Sequence, residues 1–201
     1  MKPRVAVFDF DGTLTNRDTF LAFIRFACGT FSFYWGFVLY SPLLLLMLMH
    51  LYPNWKAKER VFSHFFKGWE YRRFLEKCDE FAWEVKKIER EQTVTLLRQH
   101  LASGDRVYVI SASIEEWVRP WCRMTGDVTV LGTRIAVGSD GLLTGRFLGR
   151  NCYGQEKVAR LLEVEPERNS YDLYAYGDSR GDREMIEFAD YGSYINGKGV
   201  Q

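Results

Sequence analysis

Outside its middle third, the chain alternates short unbroken apolar runs with longer stretches whose apolar positions recur every three or four residues. The runs Arg4–Phe8 (RVAVF), Asp105–Ile110 (DRVYVI) and Tyr171–Tyr176 (YDLYAY) each lead into a loop of small, hydroxylated or acidic residues. Short runs of this kind predict strands of a parallel sheet, buried on both faces. Helical spacing predicts helices over Asp18–Cys28, with Thr15 or Asn16 as the cap, and over Glu91–Ser103, stopped at Gly104. A further helix is predicted to start at Ser113, which has capping-box spacing to Glu116, and others over Gly154–Glu163 and Asp182–Ala189. Val128–Val137 and Leu142–Phe147 flank Ser-Asp-Gly and predict a strand pair, and Tyr191–Ile195 a short last strand. The alternation predicts an α/β fold with a doubly wound parallel sheet and helices on both faces.

The middle third breaks this pattern. Between Phe26 and Trp55 there are 30 residues without one Asp, Glu, Lys or Arg, including LLLLMLM. From Asn54 to Arg90 charge returns among recurring aromatics, which predicts two or more amphipathic helices broken near Gly68. Between Lys56 and Arg73 stand six basic residues against only Glu59 and Glu70, so a basic stretch directly follows the apolar one.

Composition adds limits. At 201 residues the chain has room for one domain with a modest insertion, and a net charge of +1 gives no overall field for nucleic acid. Cys28, Cys78, Cys122 and Cys152 form no CxxC pair and are expected to be reduced thiols of a cytosolic protein. His50, His64 and His100 lack metal-ligand spacing and are expected to be structural or surface residues. The apolar run after the initial MKPR ends at Asp9, too soon for a secretory signal.

Three predicted strands end in polar groups: VFDFDGTLT carries Asp9 and Asp11, VISAS carries Ser111, and YAYGDSRGD carries Asp178 and Asp182. In an open α/β sheet, sites form beyond the carboxyl ends of the strands, so these residues are expected to converge. Two acids spaced by one residue leave a strand on the same side. With Asp178 they make a set of hard oxygen donors suited to Mg²⁺ beside a phosphate. One Asp-Gly alone would be an ordinary turn. Three acidic or hydroxylated strand ends together need a compensating charge, because buried unpaired carboxylates are costly.

On these residues the chain resembles the haloacid dehalogenase superfamily, in the branch of phosphoserine phosphatase. DFDGTLT at 9–15, Ser111, Lys157 in NCYGQEKV and GDSRGD at 177–182 stand in the order of that family's four motifs. The resemblance covers residues 4–18 and 104–195. It implies a Rossmann-like core at 1–18 and 91–201 and an inserted helical cap at 19–90. It also implies Asp9 as nucleophile through an aspartyl-phosphate and Asp11 as general acid and base. Ser111 and Lys157 would hold the phosphate. Mg²⁺ would bind Asp9, the Asp11 carbonyl and Asp178, with Asp182 orienting that set. Related ion-pumping ATPases have Thr at the place of Asp11, so Asp11 implies a hydrolase that turns over. The chain departs from phosphoserine phosphatase at Gly12 and at Ser179-Arg180-Gly181, where Gly181 replaces a phosphate-holding Asn. Asp18 stands where that branch often places an acid toward a substrate amine, and equally suits a helix N-terminus.

The apolar segment lies between Asp9 and Ser111, which must share one site. A single membrane crossing would separate them, and a return span needs about 20 further apolar residues. The sequence therefore predicts a helical hairpin over 26–55, bent near Ser41-Pro42. Either it is buried in the cap or a homodimer interface, or it dips into a bilayer with the basic stretch against anionic headgroups. The layout also resembles a bacterial phosphatidylglycerophosphatase of the same branch, with an apolar insertion after its first motif. The expectation is a Mg²⁺-dependent phosphomonoesterase in the cytoplasm, at the inner membrane face if residues 31–55 touch lipid. A lipid phosphate is its first candidate substrate. A soluble small-molecule phosphatase or a phosphotransferase are the alternatives, and no nucleic-acid partner is expected.

Overall fold

The computed structural model describes residues 2–49, 51–196 and 199–200. The expectation for His50 lies outside these residues. The first strand, β1 (Arg4–Phe8), is followed by four helices: α1 (Thr19–Cys28), α2 (Thr30–Leu48), α3 (Asn54–Phe66) and α4 (Tyr71–Lys86). Then come α5 (Glu91–Ala102), β2 (Arg106–Ile114), α6 (Glu115–Thr125), β3 (Val128–Val137) and β4 (Leu143–Leu148). The chain continues through α7 (Gln155–Val164), β5 (Asp172–Gly177), α8 (Arg183–Phe188), β6 (Tyr191–Asn196) and β7 (Gly199–Val200).

These strands form one sheet in the order β4-β3-β2-β1-β5-β6-β7, parallel except at its two outer pairs. This is the doubly wound α/β arrangement that the alternating pattern predicts. β1 lies between β2 and β5, with Phe8 opposite both Val109 and Tyr176. Three strand ends thus come level, and Asp9, Ser111 and Asp178 beside them line the same crevice.

α1 to α4 share one continuous apolar cluster with the sheet, running from Phe8 and Val109 to Phe62 and Phe81. Phe23 sits at its centre, stacked on Trp117 at 4.8 Å and met edge-on by Phe74 and Phe81 at 5.4 and 5.1 Å. Aromatic packing of this kind adds to area burial through the ring quadrupoles. The strand pair β3–β4 grips the helices through the backbone: Gly68 N donates to Leu143 O, and Leu143 N donates to Trp69 O, both at 2.8 Å. Phe147 N donates to Glu59 on α3 at 2.7 Å.

Three expectations need correction. α1 is capped by Asp18, which accepts from Leu21 N at 3.1 Å, not by Thr15 or Asn16. Thr15 is unavailable because its hydroxyl bonds the carbonyls of Phe10 and Arg17. α6 starts at Glu115, and Ser113 lies within β2, with Ile114 and not Ser113 at the cap position. The Ser113 hydroxyl instead donates to Asp11 at 2.5 Å, and a bond to a carboxylate outcompetes a neutral cap.

The third correction concerns the apolar segment. It is not a hairpin bent at Ser41-Pro42, because α2 runs unbroken through Pro42. Proline removes the donor to the carbonyl four residues back, here Val38. The Ser41 hydroxyl donates to Val38 O at 2.8 Å and takes its place. Nor is α2 buried within the cap: Gly36 is its one buried residue, and Trp35, Val38, Leu39, Leu45 and Leu48 are exposed. Gly36 is buried because Phe65 lies against it, 2.3 Å from where a β-carbon would stand. α2 is the one helix among the described residues long and apolar enough to cross a membrane.

Candidate active site

Asp9 follows β1 directly, and its backbone N–H donates to Tyr176 O at 2.8 Å, fixing it between the ends of β2 and β5. Its carboxylate meets Lys157 from the first turn of α7. The Lys157 ammonium is buried and donates to Asp9 Oδ1 and Asp182 Oδ1, each at 2.5 Å. The other oxygen of Asp182 accepts from Asp178 N, Ser179 N and Ser179 Oγ at 3.2, 3.0 and 2.8 Å. Both Asp182 oxygens are therefore engaged, and its part is to hold Lys157 and the loop.

The Asp178 carboxylate is exposed to the crevice and steadied by the Thr13 hydroxyl at 3.3 Å. One oxygen each of Asp9, Asp178 and Asp182 lies within 4.8 Å of the others, close enough to share a cation. Asp9 and Asp178 are the two not already saturated from within the loop, which fits a small hard ion that keeps several waters. Gly12 makes this approach possible. Its φ is +83°, and a β-carbon there would lie 2.1 Å from Asp178 Oδ2.

Asp11 lines the same cavity, held between the start of α1 and the end region of β2. Its Oδ1 accepts from Thr19 N and Thr19 Oγ1 at 2.8 and 2.6 Å, and its Oδ2 from Ser113. Ser111 is buried, and its hydroxyl accepts from Ser113 N at 3.0 Å. All six residues that the sequence singles out (Asp9, Asp11, Ser111, Lys157, Asp178 and Asp182) line one cavity of about 480 Å³.

Burial sets the charges of this floor. It pushes Asp9 up to about 7, against the pull of Lys157 and with the help of Asp182. Burial, then the charge of Asp18, also raises Asp11, while Lys58 and the hydroxyls of Ser113 and Thr19 oppose the rise. For Lys157 burial acts the other way, but Asp9 and Asp182 outweigh it and hold the ammonium above the ordinary lysine range.

Sequence reasoning missed several neighbours. Lys58 belongs to the basic stretch of α3, yet it turns inward and donates to Ala112 O at 2.9 Å, beside Ser111. Burial lowers its pKa, while Asp11 and Asp18 raise it. The available signal was its spacing: Lys58 lies between Ala57 and Val61, the buried residues of α3's inner face. Tyr153 was also missed; its ring covers Gly181, where a β-carbon would meet it at 2.4 Å. Thr19 carried no signal and the spacing of Ser113 pointed to a cap, since their part is to position Asp11 across the fold.

The same cavity has an apolar side. Phe37, Leu44 and Met47 of α2 line it with Phe20, Leu21 and Val61. A second cavity, about 410 Å³ between α4, α6 and β3, contains none of the strand-end acids.

A doubly wound sheet thus carries carboxylates and a buried lysine at its strand ends, under a layer of helices inserted between β1 and β2. Residues 6–187 match the model of the haloacid dehalogenase-like hydrolases, and the chain belongs to that family. Protein CicA of Caulobacter vibrioides is 33% identical over 196 residues, covering 96% of this chain and 86% of its own. A probable phosphatase of Mycobacterium tuberculosis is 29% identical, covering 95% of this chain and 68% of its own. A substrate-bound phosphoserine phosphatase has the same fold, with a TM-score of 0.63 at 19% identity over 94% of this chain and 84% of its own. The protein is a phosphatase of the haloacid dehalogenase type.

Proposed function

We propose that the protein hydrolyses an amphiphilic phosphate monoester, one with an apolar tail, through an aspartyl-phosphate on Asp9. The observation that carries this reading is the continuity of the cavity, from the acidic floor to the apolar wall of α2. A phosphate seated at Asp9 would leave its ester substituent facing Phe37, Leu44 and Met47.

In the first step an Asp9 oxygen attacks phosphorus, the bond from phosphorus to the ester oxygen breaks, and the departing alkoxide takes the proton of Asp11. In the second, Asp11 as carboxylate takes a proton from water, and the hydroxide formed attacks the same phosphorus. That step frees the Asp9 carboxylate and inorganic phosphate. Burial that raises Asp11 suits a group that must carry a proton in one step and lose it in the next. Thr19 and Ser113 hold its carboxyl in place throughout. Ser111 and Lys157 hold the phosphoryl oxygens. A Mg²⁺ ion held by Asp9, Asp178 and the Asp11 carbonyl would supply positive charge against the same oxygens. Lys58, the cation of the helical layer in this cavity, would meet a further negative charge on the substrate.

One observation favours a second reading. Asp18 and Lys58 both line the throat of the cavity, an acid and a base that would also suit a small zwitterionic phosphate ester. One Asp18 oxygen is already engaged in capping α1, which weakens that reading.

Trapping tests the chemistry. Borohydride reduction during turnover should convert Asp9 to homoserine, read by peptide mass spectrometry. The conversion should vanish with EDTA and in Asp9→Asn. Modification at no aspartate during active turnover would remove the covalent route.

A further inference from the structure

The outer side of α2 is the largest feature that the catalytic reading leaves unused. Phe31, Tyr34, Trp35, Val38, Leu39, Leu45, Leu46 and Met49 recur at helical spacing and are all exposed. The inner side, Phe33, Phe37 and Tyr40, packs on the helical layer. A contiguous apolar face of this size is not left to water in a soluble monomer.

Three observations choose its occupant. The first is charge at both ends of the face. Trp55 is exposed beyond the C-terminal end of α2, with the Lys56 ammonium 5.4 Å from its ring centre. Toward the N-terminal end, Trp69 shares a groove with Phe31 and Trp35 and carries Arg73 5.0 Å from its ring centre. Arg60 lines a groove beside Leu39, Pro42 and Leu43. The one acid of α3, Glu59, is turned inward to Phe147 N. Aromatic and basic residues side by side are the composition of a headgroup layer.

The second is geometry. α2 is roughly 28 Å long at 1.5 Å per residue, enough to cross a bilayer. Yet it follows α1 after Gly29 alone, and α3 begins at Asn54, with Phe23 and Phe62 burying both neighbours in the same body. With both ends held on one side, it lies along a surface and does not cross. The third is the cavity, since Leu44 and Met47 line it while Leu45, Leu46 and Leu48 of the same turns face outward.

We infer that the outer face of α2, with Lys56, Arg60 and Arg73 beside it, docks flat on an anionic lipid bilayer and opens the catalytic cavity directly to the lipid phase. This deepens the amphiphile reading and rests on it for delivery of substrate, but docking itself is measured without turnover.

The test is flotation of the purified full-length chain with vesicles of phosphatidylcholine alone or with phosphatidylglycerol added. The chain should float with the anionic vesicles, at least about tenfold more than with the zwitterionic ones. Val38→Glu with Leu45→Glu should abolish flotation and leave kcat on p-nitrophenyl phosphate unchanged, because neither residue lines the cavity. Lys56→Glu with Arg60→Glu should lower flotation on anionic vesicles with no change in thermal unfolding. A chain that forms a stable dimer and ignores vesicles would overturn the proposal, as would equal flotation on both compositions or full flotation of the Val38/Leu45 variant. If docking succeeds while the chain shows no preference for lipid phosphates, the substrate reading fails and docking stands.

Discussion

The floor of the cavity and the outer face of α2 invert the usual order of a folded chain in opposite ways. At the floor, carboxylates and an ammonium are buried, and each is matched by hydrogen bonds or by an opposite charge: Lys157 between Asp9 and Asp182, Asp182 in its own loop, Asp11 between Thr19 and Ser113. On α2, apolar side chains stand in solvent, with nothing covering them among the described residues. Buried charge costs several kcal/mol unless paired, and exposed apolar area forgoes about 25 cal/mol per Å². Both departures mark places where the chain is built for something other than its own stability. The buried charges of the floor are matched within the fold, whereas the outer face of α2 is the surface for which we propose a bilayer.

The sharpest break of this comparison is Asp9→Asn. It removes the nucleophile and keeps the shape, so phosphate release should fall at least about a thousandfold with the fold intact by circular dichroism. Lys157→Met comes next. It leaves Asp9 and Asp182 facing each other without their cation, and should cost about 3–5 kcal/mol in denaturant unfolding at pH 8, along with turnover. Lys58→Met tests the throat between the two regions. It should lower kcat/KM about tenfold, mainly through KM, if Lys58 meets the substrate's further charge as proposed and takes no part in the attack.

Glu116 gives the smallest effect and lies away from both regions. Burial, with Glu115 nearby, raises its carboxyl from 4.5 to about 7, and its Oε2 has no hydrogen-bond partner among the described residues. A folded carboxyl raised above its unfolded value gives stability that is fully present below pH 4.5 and lost as pH rises through 7. Glu116→Gln should therefore equal the parent at pH 4 and exceed it by about 1–2 kcal/mol at pH 8, read from unfolding midpoints.

The floor was legible in the sequence because its chemistry is local. Asp9 and Asp11, and Asp178 and Asp182, sit in short loops after apolar runs, and the parallel sheet brings such loops together by topology alone. Gly12 was visible as part of a motif, though not its reason, which is the close approach of Asp178. What escaped depends on tertiary reach. Ser113 looked like a cap until Asp11 claimed its hydroxyl. Lys58 looked like one more surface cation until α3 turned it inward. Pro42 looked like a bend because its local cost is real, and only the Ser41 hydroxyl on Val38 O shows how the helix continues. The exposure of α2 was likewise out of reach, since hydropathy says that a segment avoids water and not where it goes.

The central claim is that the acidic floor and the apolar wall serve one substrate. The direct measurement is kcat/KM for Mg²⁺-dependent phosphate release along a series from glycerol 3-phosphate through monoacyl glycerol phosphates of rising chain length, kept below their micelle concentrations. Each pair of methylenes buried against α2 is worth roughly 1.6 kcal/mol, so kcat/KM should climb by up to about fifteenfold per pair until the wall is filled. A flat series, with a small zwitterionic ester the best substrate, would contradict the account and leave the wall without a part in catalysis.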